Sequence, residues 1–533
     1  MKKRLLLIMM AILPMVAIAD ESGTCGKNLT WTYTEYTKTL SIEGTGAMTN
    51  YTYTSPAPWH QYKYNVNKIN IGPNVTTIGD YAFAYLEYAK NVTIGDAVTS
   101  IGNSAFNSCT KLSKIIIPNS VTSIDYAAFQ NCTALYSATI GNSVTSIGNF
   151  AFNSCSSLRS ITIPQSLTSI GVAVFWFCSA LNSIIVESGN TIYDSRDNCN
   201  AIIDTENNTL LYGCNNTVIP SSVTAIANYS FREYSGLTSI VIPNSVTRIG
   251  KEAFKNCSGL TSVSIGNGVT SIDDDAFSGC SQLNNVTLNS NTIVSKNYTS
   301  NNNIKTIFGN QVKEFIIGDE VTSIGDWAFY AYLTVLTSIT IGNNVTSIGN
   351  EAFKGCSGLT SINIPNNVTS IGNEAFMGCS GLTSINISNN VNSLGDSAFR
   401  DCYKLATIIV PNSVISIGNE AFFNCSKMQD FYCYVEQLPT IGTDVFKNAS
   451  TVNATLHVPG EAIELYKATE QWKEFANILA LANDDPKPSG IADVRSKMAE
   501  VRGAYYDLNG RKLTEEPTKK GIYINNGQKV IVK

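Results

Sequence analysis

The sequence predicts a β-rich solenoid of stacked coils, and three observations carry that reading. The first is a period. Phenylalanine recurs at Phe83, Phe106, Phe129, Phe152 and Phe175, again at Phe231, Phe254 and Phe277, and then at Phe329, Phe353, Phe376, Phe399 and Phe422, in steps of 23 residues and once of 24. The second is the wording of one unit, L-x-x-I-x-I-P-x-x-V-x-x-I-G-x-x-A-F-x-x-C, met at Leu158, Ile161, Ile163, Pro164, Leu167, Ile170, Gly171, Val174, Phe175 and Cys178. The third is composition. Hydrophobic residues make up 44% of the 533, enough for a large core, while charged residues make up 14%, against roughly 25% in ordinary globular chains.

Taken in chain order, Met1–Ala19 reads as an export signal. It has a basic start, the apolar run Leu5–Leu13, and the small-x-small ending Ala17-Ile18-Ala19. That run is too short to span a bilayer, and no later stretch approaches the roughly 18 apolar residues of a membrane helix. The spacing therefore predicts no transmembrane span. Residues 20–65, rich in Thr and Tyr and punctuated by Gly44, Gly46, Pro56 and Pro58, read as an N-terminal β cap.

Residues 66–447 form the repeated region. In each unit the alternation Leu…Ile-x-Ile is a short strand with one face inward, and Pro or Gly ends it. Val-Thr-Ser-Ile-Gly is a second extended segment, and Ala-Phe is a turn or short helix. A period of 20–29 residues with this spacing marks a leucine-rich-repeat solenoid, in which one unit cannot bury its apolar face without its neighbours. Two units are longer, near 187–216 and 289–313. In the first, Ala201–Asp204 and Thr209–Tyr212 flank the polar turn Thr205–Asn208, which predicts a β-hairpin leaving the stack. Such insertions are where solenoids often place binding loops, and an outgrowth without a role is the alternative.

Residues 448–482 read as a C-terminal helical cap, because Ile463, Leu465, Tyr466, Trp472, Phe475 and Leu479 space like an amphipathic helical pair. Residues 483–490, with Pro486 and Pro488, are a linker. Residues 491–533 read as a small C-terminal β module.

The recurrent Ile-Pro-Asn-Ser-Val-Thr-Ser-Ile-Gly and Ala-Phe-x-x-Cys resemble the BspA-like leucine-rich-repeat family of bacterial surface proteins. Gly23-Thr24-Cys25-Gly26, Thr45-Gly46-Ala47-Met48 and Ala57-Pro58-Trp59 resemble the leader unit that often precedes such repeats. Tyr506-Asp507-Leu508-Asn509-Gly510-Arg511 and Lys520-Gly521-Ile522-Tyr523-Ile524 are similar to the sorting modules of type IX secretion, so 491–533 would serve sorting or anchoring. The resemblance implies a secreted or cell-surface adhesin for host matrix proteins, mucosal glycoproteins or other microbes. It brings no catalytic residues.

Charge and chemistry narrow the function. The whole chain is −5, its first residues carry +3 and residues 492–533 carry +4, so the body between carries −12. An acidic body excludes nucleic acid, whose phosphates need clustered Lys and Arg. The only histidines, His60 and His457, are separated by the whole repeat region. Triads and multi-histidine metal sites therefore lack their bases or ligands, and no cofactor is implied. A glycosidase needs only two carboxylates. The acids are scattered at turns, however, and at Asp273-Asp274-Asp275 solvated turn residues are favoured over calcium ligands.

Ten of the 14 cysteines, Cys109, Cys132, Cys155, Cys178, Cys257, Cys280, Cys356, Cys379, Cys402 and Cys425, share one repeat position. This points to a buried ladder of small side chains, with bridging between coils as the alternative. Cys199 and Cys214 flank the expected hairpin and are the candidate disulfide.

The outward strand position passes through Thr93, Ile116, Thr139, Thr162, Ile185, Val241, Ser264, Thr287, Ile316, Thr340, Asn363, Asn386 and Ile409. This neutral stripe is the candidate binding surface, although β-branched residues also simply suit exposed strands. Trp176, Tyr136 and Trp327 could stack on sugars or pack locally. The reading is a monomeric, non-enzymatic adhesin for an extracellular protein or glycoprotein. A secreted glycan-binding or glycan-hydrolysing component and a structural surface-layer spacer are the alternatives.

Overall fold

The computed structural model describes residues 20–332 and 334–488, with the backbone of Tyr505–Tyr506, Gly521–Asn525 and Gln528–Val532. The expected export signal 1–19 and most of the expected module 491–533 lie outside the described residues. Within that module the three short strands pair antiparallel. The chain divides into two compact units, residues 20–237 with 253–257, and residues 238–252 with 258 onward.

The first unit opens on the β cap. Glu21–Gly26, Leu29–Thr34 and Thr39–Gly44 pair antiparallel, and the coil strands Lys68–Ile71 and Asn91–Thr93 add to this sheet in parallel. Leu29, Trp31, Tyr33, Leu40 and Ile42 alternate inward, as strand periodicity requires. The turn Pro58–Tyr62 then drives Trp59 into the core, where its indole N–H donates to Ala82 O (2.8 Å) and its ring lies 5.7 Å from Phe83. Trp59 thus fills the end of the phenylalanine column that a coil would otherwise occupy.

Each following coil holds an outer strand such as Ser160–Ile163, with Ile161 and Ile163 buried and Ser160 and Thr162 exposed. A turn leads to a two-residue strand such as Ser169–Ile170, stacked in register on Ser146–Ile147. The Ala-Phe corner is a turn rather than a helix. In it Ala127 (φ 54°) and Asn131 (φ 59°) are left-handed although neither is glycine. Their strain, about 1 kcal/mol each, is offset because the corner amides point at the next coil. Ala127 N–H donates to Asn149 O (2.9 Å), Phe129 N–H to Ala151 O (2.8 Å) and Asn131 N–H to Asn153 O (2.9 Å). The rings of Phe83, Phe106, Phe129 and Phe152 stack face to face at 5.2–5.3 Å.

The expected hairpin is present, since Ile202–Asp204 and Thr209–Tyr212 pair antiparallel. It does not leave the stack. Thr209–Leu210 pair in parallel with Ala225–Ile226, and Ile202, Ile203 and Leu210 are fully buried. Three such aliphatic side chains could not stay in water without losing about 2 kcal/mol apiece. Tyr212 sets its ring edge-on to Phe175, and Gly213 passes so close to the Phe231 ring that no side chain fits there.

In the second unit the outer strands Ser239–Ile242, Ser262–Ile265, Asn285–Leu288, Glu314–Ile317 and Ser338–Thr340 form one parallel sheet. Ser384–Asn386, Thr407–Val410, Asp430–Cys433, Thr455–Val458 and Asn477–Ala480 form another. The longer unit near 289–313 holds two short helices, Asn291–Val294 and Ile304–Phe308, the latter opened by a capping box between Asn303 and Thr306. A second column of stacked rings runs from Phe329 through Phe353, Phe376 and Phe399 to Phe422.

The C-terminal cap corrects one expectation. Ile463–Ala468 is the expected helix, but Asn477–Ala480 is a strand paired with Thr455–Val458 and not a second helical turn. A terminal strand satisfies the open edge of the sheet, which a helix lying across it would leave with unpaired amides. Trp472 and Phe475 close the core against Phe431 and Phe446.

Candidate binding surface

Parallel, in-register pairing converts the one-per-coil stripe into rows of adjacent side chains. In the first unit the pairs are Thr93 with Asn70, Ile116 with Thr139, and Thr162 with Ile185. In the second, Val241, Ser264, Thr287, Ile316 and Thr340 are neighbours in that order, and Asn363 bridges to Asn386, which neighbours Ile409. The rows also contain residues outside the 23-residue wording. Ser41 precedes Asn70 in the cap, and Tyr432, His457 and Leu479 follow Ile409. The cap strands lack the repeat motif, so periodicity could not reveal them; the alternation in Thr455–Val458 was the available signal.

Exposure separates the members of the stripe. Ile116 is 69% and Val241 66% exposed, whereas Ile409 is only 6% exposed. Ile409 is therefore not part of an open surface, which corrects the stripe at its C-terminal end. The linker folds back there: Asn386 Nδ2 donates to Lys487 O (3.3 Å) and the Tyr434 hydroxyl to Pro486 O (3.2 Å). Burial, followed by the charge of Asp485, holds the Tyr434 hydroxyl above its ordinary value. His457 stacks on Tyr432 at 4.3 Å and lies between Asp430 (3.2 Å) and Asp485 (3.8 Å).

Threonines of two kinds now become distinct. Those of the second segment are committed: Thr99, Thr122, Thr145 and Thr168 each donate to the threonine carbonyl one coil before, at 3.0–3.1 Å. Those of the outer row differ: Thr287 and Thr340 pair through their backbones with the neighbouring strands, and the Thr340 side chain is exposed. The wording of the repeat gives both the same letter.

The cysteine ladder is buried, and its residues are thiols in this structure. Ladder thiols donate to phenylalanine carbonyls of the previous coil, as Cys132 does to Phe106 O (3.2 Å) and Cys402 to Phe376 O (3.3 Å). Burial pushes the Cys132, Cys178 and Cys356 thiols up to about 12, which makes them unreactive at neutral pH. Cys199 and Cys214 are likewise unbridged, in place of the expected disulfide. Cys214 donates instead to Asn200 O (3.3 Å), and burial pushes Cys199 up to about 11.

His60 belongs to the first unit and His457 to the second. Burial, followed by Lys63, lowers His60, which lines a cleft of about 300 Å³ with Tyr53, Tyr81 and Tyr85. A polar cleft of about 780 Å³ beside the longer unit near 289–313 is lined by Lys251, Asp273, Asp274, Asp275, Lys296 and Asn302, among others. Among the described residues no three His, Cys, Asp or Glu side chains are placed to hold a metal ion. Trp176 packs under the Arg232 guanidinium (4.5 Å), Tyr136 beside Lys114 (5.3 Å), and Trp327 against Tyr330 (4.7 Å), which is local packing of the ordinary kind. No described helix is long and apolar enough to cross a membrane.

Short parallel strands, a corner turn and columns of stacked phenylalanines define a leucine-rich-repeat solenoid. The BspA type leucine rich repeat region matches residues 59–197, 207–331 and 322–453, well over half the chain, and the protein belongs to that family. A search of curated proteins finds no match. Among solved structures, a leucine-rich repeat protein from Eubacterium ventriosum is 24% identical, with 68% of this chain and 95% of that one covered and a TM-score of 0.47. A leucine rich cell surface protein from Faecalibacterium prausnitzii is 22% identical over 73% and 94% of the two chains (TM-score 0.33). A leucine-rich repeat protein from Bacteroides ovatus is 20% identical over 86% and 99% (TM-score 0.35).

Proposed function

We propose that this protein is a secreted or cell-surface adhesin that binds an extracellular protein or glycoprotein through its outer strand row, as a monomer and without catalysis. The observation that carries this reading is the row itself. Aliphatic side chains such as Ile116, Ile185, Val241 and Ile316 stand exposed on the outer strands, beside the outward threonines and serine of neighbouring coils. Leaving aliphatic surface in water forfeits about 25 cal/mol per Å², and a partner that covers the row recovers it. The outward stripe is near-neutral, so affinity accumulates from many weak contacts and not from one anchor. Family membership and the signal-like Met1–Ala19 support display outside the cell, and residues 491–533 would secure export or attachment.

The test is binding of the purified protein, from residue 20 onward, to arrayed matrix proteins, mucins and glycans. Saturable binding is expected, weakened when Ile116, Ile185, Val241 and Ile316 are all changed to serine. Absence of binding to every surface would discard the adhesin in favour of a surface-layer spacer. The polar cleft at Asp273-Asp274-Asp275 favours a second reading, glycan capture or hydrolysis, which turnover of a labelled polysaccharide would establish.

A further inference from the structure

The outer row of the second unit is already met at Asn386 by the chain itself. After Leu481 N–H donates to Val458 O (2.8 Å), the Asp485 carboxylate accepts from Ala482 N–H (2.6 Å) and turns the chain back. The next two carbonyls, of Pro486 and Lys487, are then taken by the side chains of Tyr434 and Asn386. Ile409, between Asn386 and Tyr432 in the row, is buried at this place.

The chemistry of the occupant explains the mode of holding. Pro486 and Pro488 have no amide hydrogen and force the residues before them into extended conformations. An extended proline-containing segment makes no internal hydrogen bonds, so its carbonyls remain open to donors. It cannot pair as a strand, and side chains must hold it. The row supplies what this requires, an amide donor at Asn386 beside an aliphatic surface at Ile409. The same pairing of donor and aliphatic continues through the open part of the row, in Val241, Ser264, Thr287, Ile316, Thr340 and Asn363.

We infer that the open row from Val241 to Asn363 binds extended, proline-containing polypeptide, with its hydroxyls and amide donating to main-chain carbonyls and its aliphatic residues lying under proline rings. Residues 485–488 are a resident segment of the same chemistry that meets the row at Asn386. The inference rests on the adhesin reading only in taking the natural partner to come from outside the chain.

The probe is a dye-labelled synthetic peptide carrying two copies of Asn-Asp-Asp-Pro-Lys-Pro-Ser, followed by fluorescence anisotropy with the protein from residue 20 onward. Saturable binding is expected. Thr287→Val with Thr340→Val, which keeps shape and removes two donors, should weaken it about tenfold. A peptide with every proline changed to alanine should also bind at least several-fold more weakly. Because every native thiol is buried, Ile409→Cys reports on the resident segment: Asn386→Ala with Tyr434→Phe should speed its maleimide labelling about tenfold. No peptide binding, equal binding by the valine pair, equal binding of the proline-free peptide, or unchanged labelling would each overturn the inference. Array binding that the peptide does not compete with would overturn it while leaving the adhesin reading intact; an empty array with peptide binding intact would do the reverse.

Discussion

Raising the pH should unfold this protein through its cysteines. Cys109, Cys132, Cys155 and Cys178 in the first unit, and Cys356, Cys379, Cys402, Cys425 and Cys433 in the second, are fully buried, and desolvation pushes every one of these thiols above the ordinary value of 9.0. A raised value in the folded state means that the folded chain keeps protons the unfolded chain releases. Their contribution is complete below about pH 9 and is lost as the pH climbs through the folded values, near 12 for Cys132, Cys178 and Cys356. At about pH 10 each buried thiol costs the fold roughly 1–2 kcal/mol relative to neutral solution. Over the four in the first unit this is about 6 kcal/mol, and over the five in the second about 7, comparable with the whole stability of a domain, about 5–15 kcal/mol. The assay is circular dichroism against pH, with thiolate absorbance followed in parallel. Cooperative loss of β signal, together with thiolate appearance, is expected between about pH 9 and 11. Cys132→Ala should reduce the pH slope by about one proton, although it lowers stability by about 1–2 kcal/mol at neutral pH by leaving a small void and removing the thiol's bond to the Phe106 carbonyl, which keeps its bond from Cys109 N–H. A melting temperature unchanged from about pH 8 to 10.5 would refute the argument.

Phe376→Ala, in the middle of a ring column with neighbours at 5.2 and 5.3 Å, should cost about 3–5 kcal/mol, and Phe376→Leu less. Hydrogen exchange should show the loss centred on the coils of Phe353 and Phe399, because each coil touches only its neighbours. Gly213→Ala forces a side chain into the Phe231 ring and should cost about 1–3 kcal/mol in denaturant unfolding. Trp472→Ala removes the fully buried plug of the C-terminal cap, about 3–5 kcal/mol, and limited proteolysis should then begin within residues 448–482.

The sequence by itself determined the coil: its length, its inward leucines, isoleucines, phenylalanines and cysteines, and the outward stripe. This is legible because strand alternation assigns each side chain a face, and because every coil repeats the same local solution against its neighbours. Tertiary structure alone decided what has no period. The hairpin at Ile202–Tyr212 is taken into the stack because its aliphatic residues need cover, and Asn477–Ala480 is a strand because the last sheet edge needs a partner. Thr99 and Thr340 hold different positions in the repeat, and only the structure shows that the first hydroxyl meets a carbonyl one coil before while the second side chain is exposed. Ile409 shares its place in the repeat with Ile116, yet it is buried where Asn386 and Tyr434 draw back a proline-rich segment some hundred residues and some fifty residues further along the chain. Contacts between parts so distant in sequence leave no trace in a 23-residue pattern.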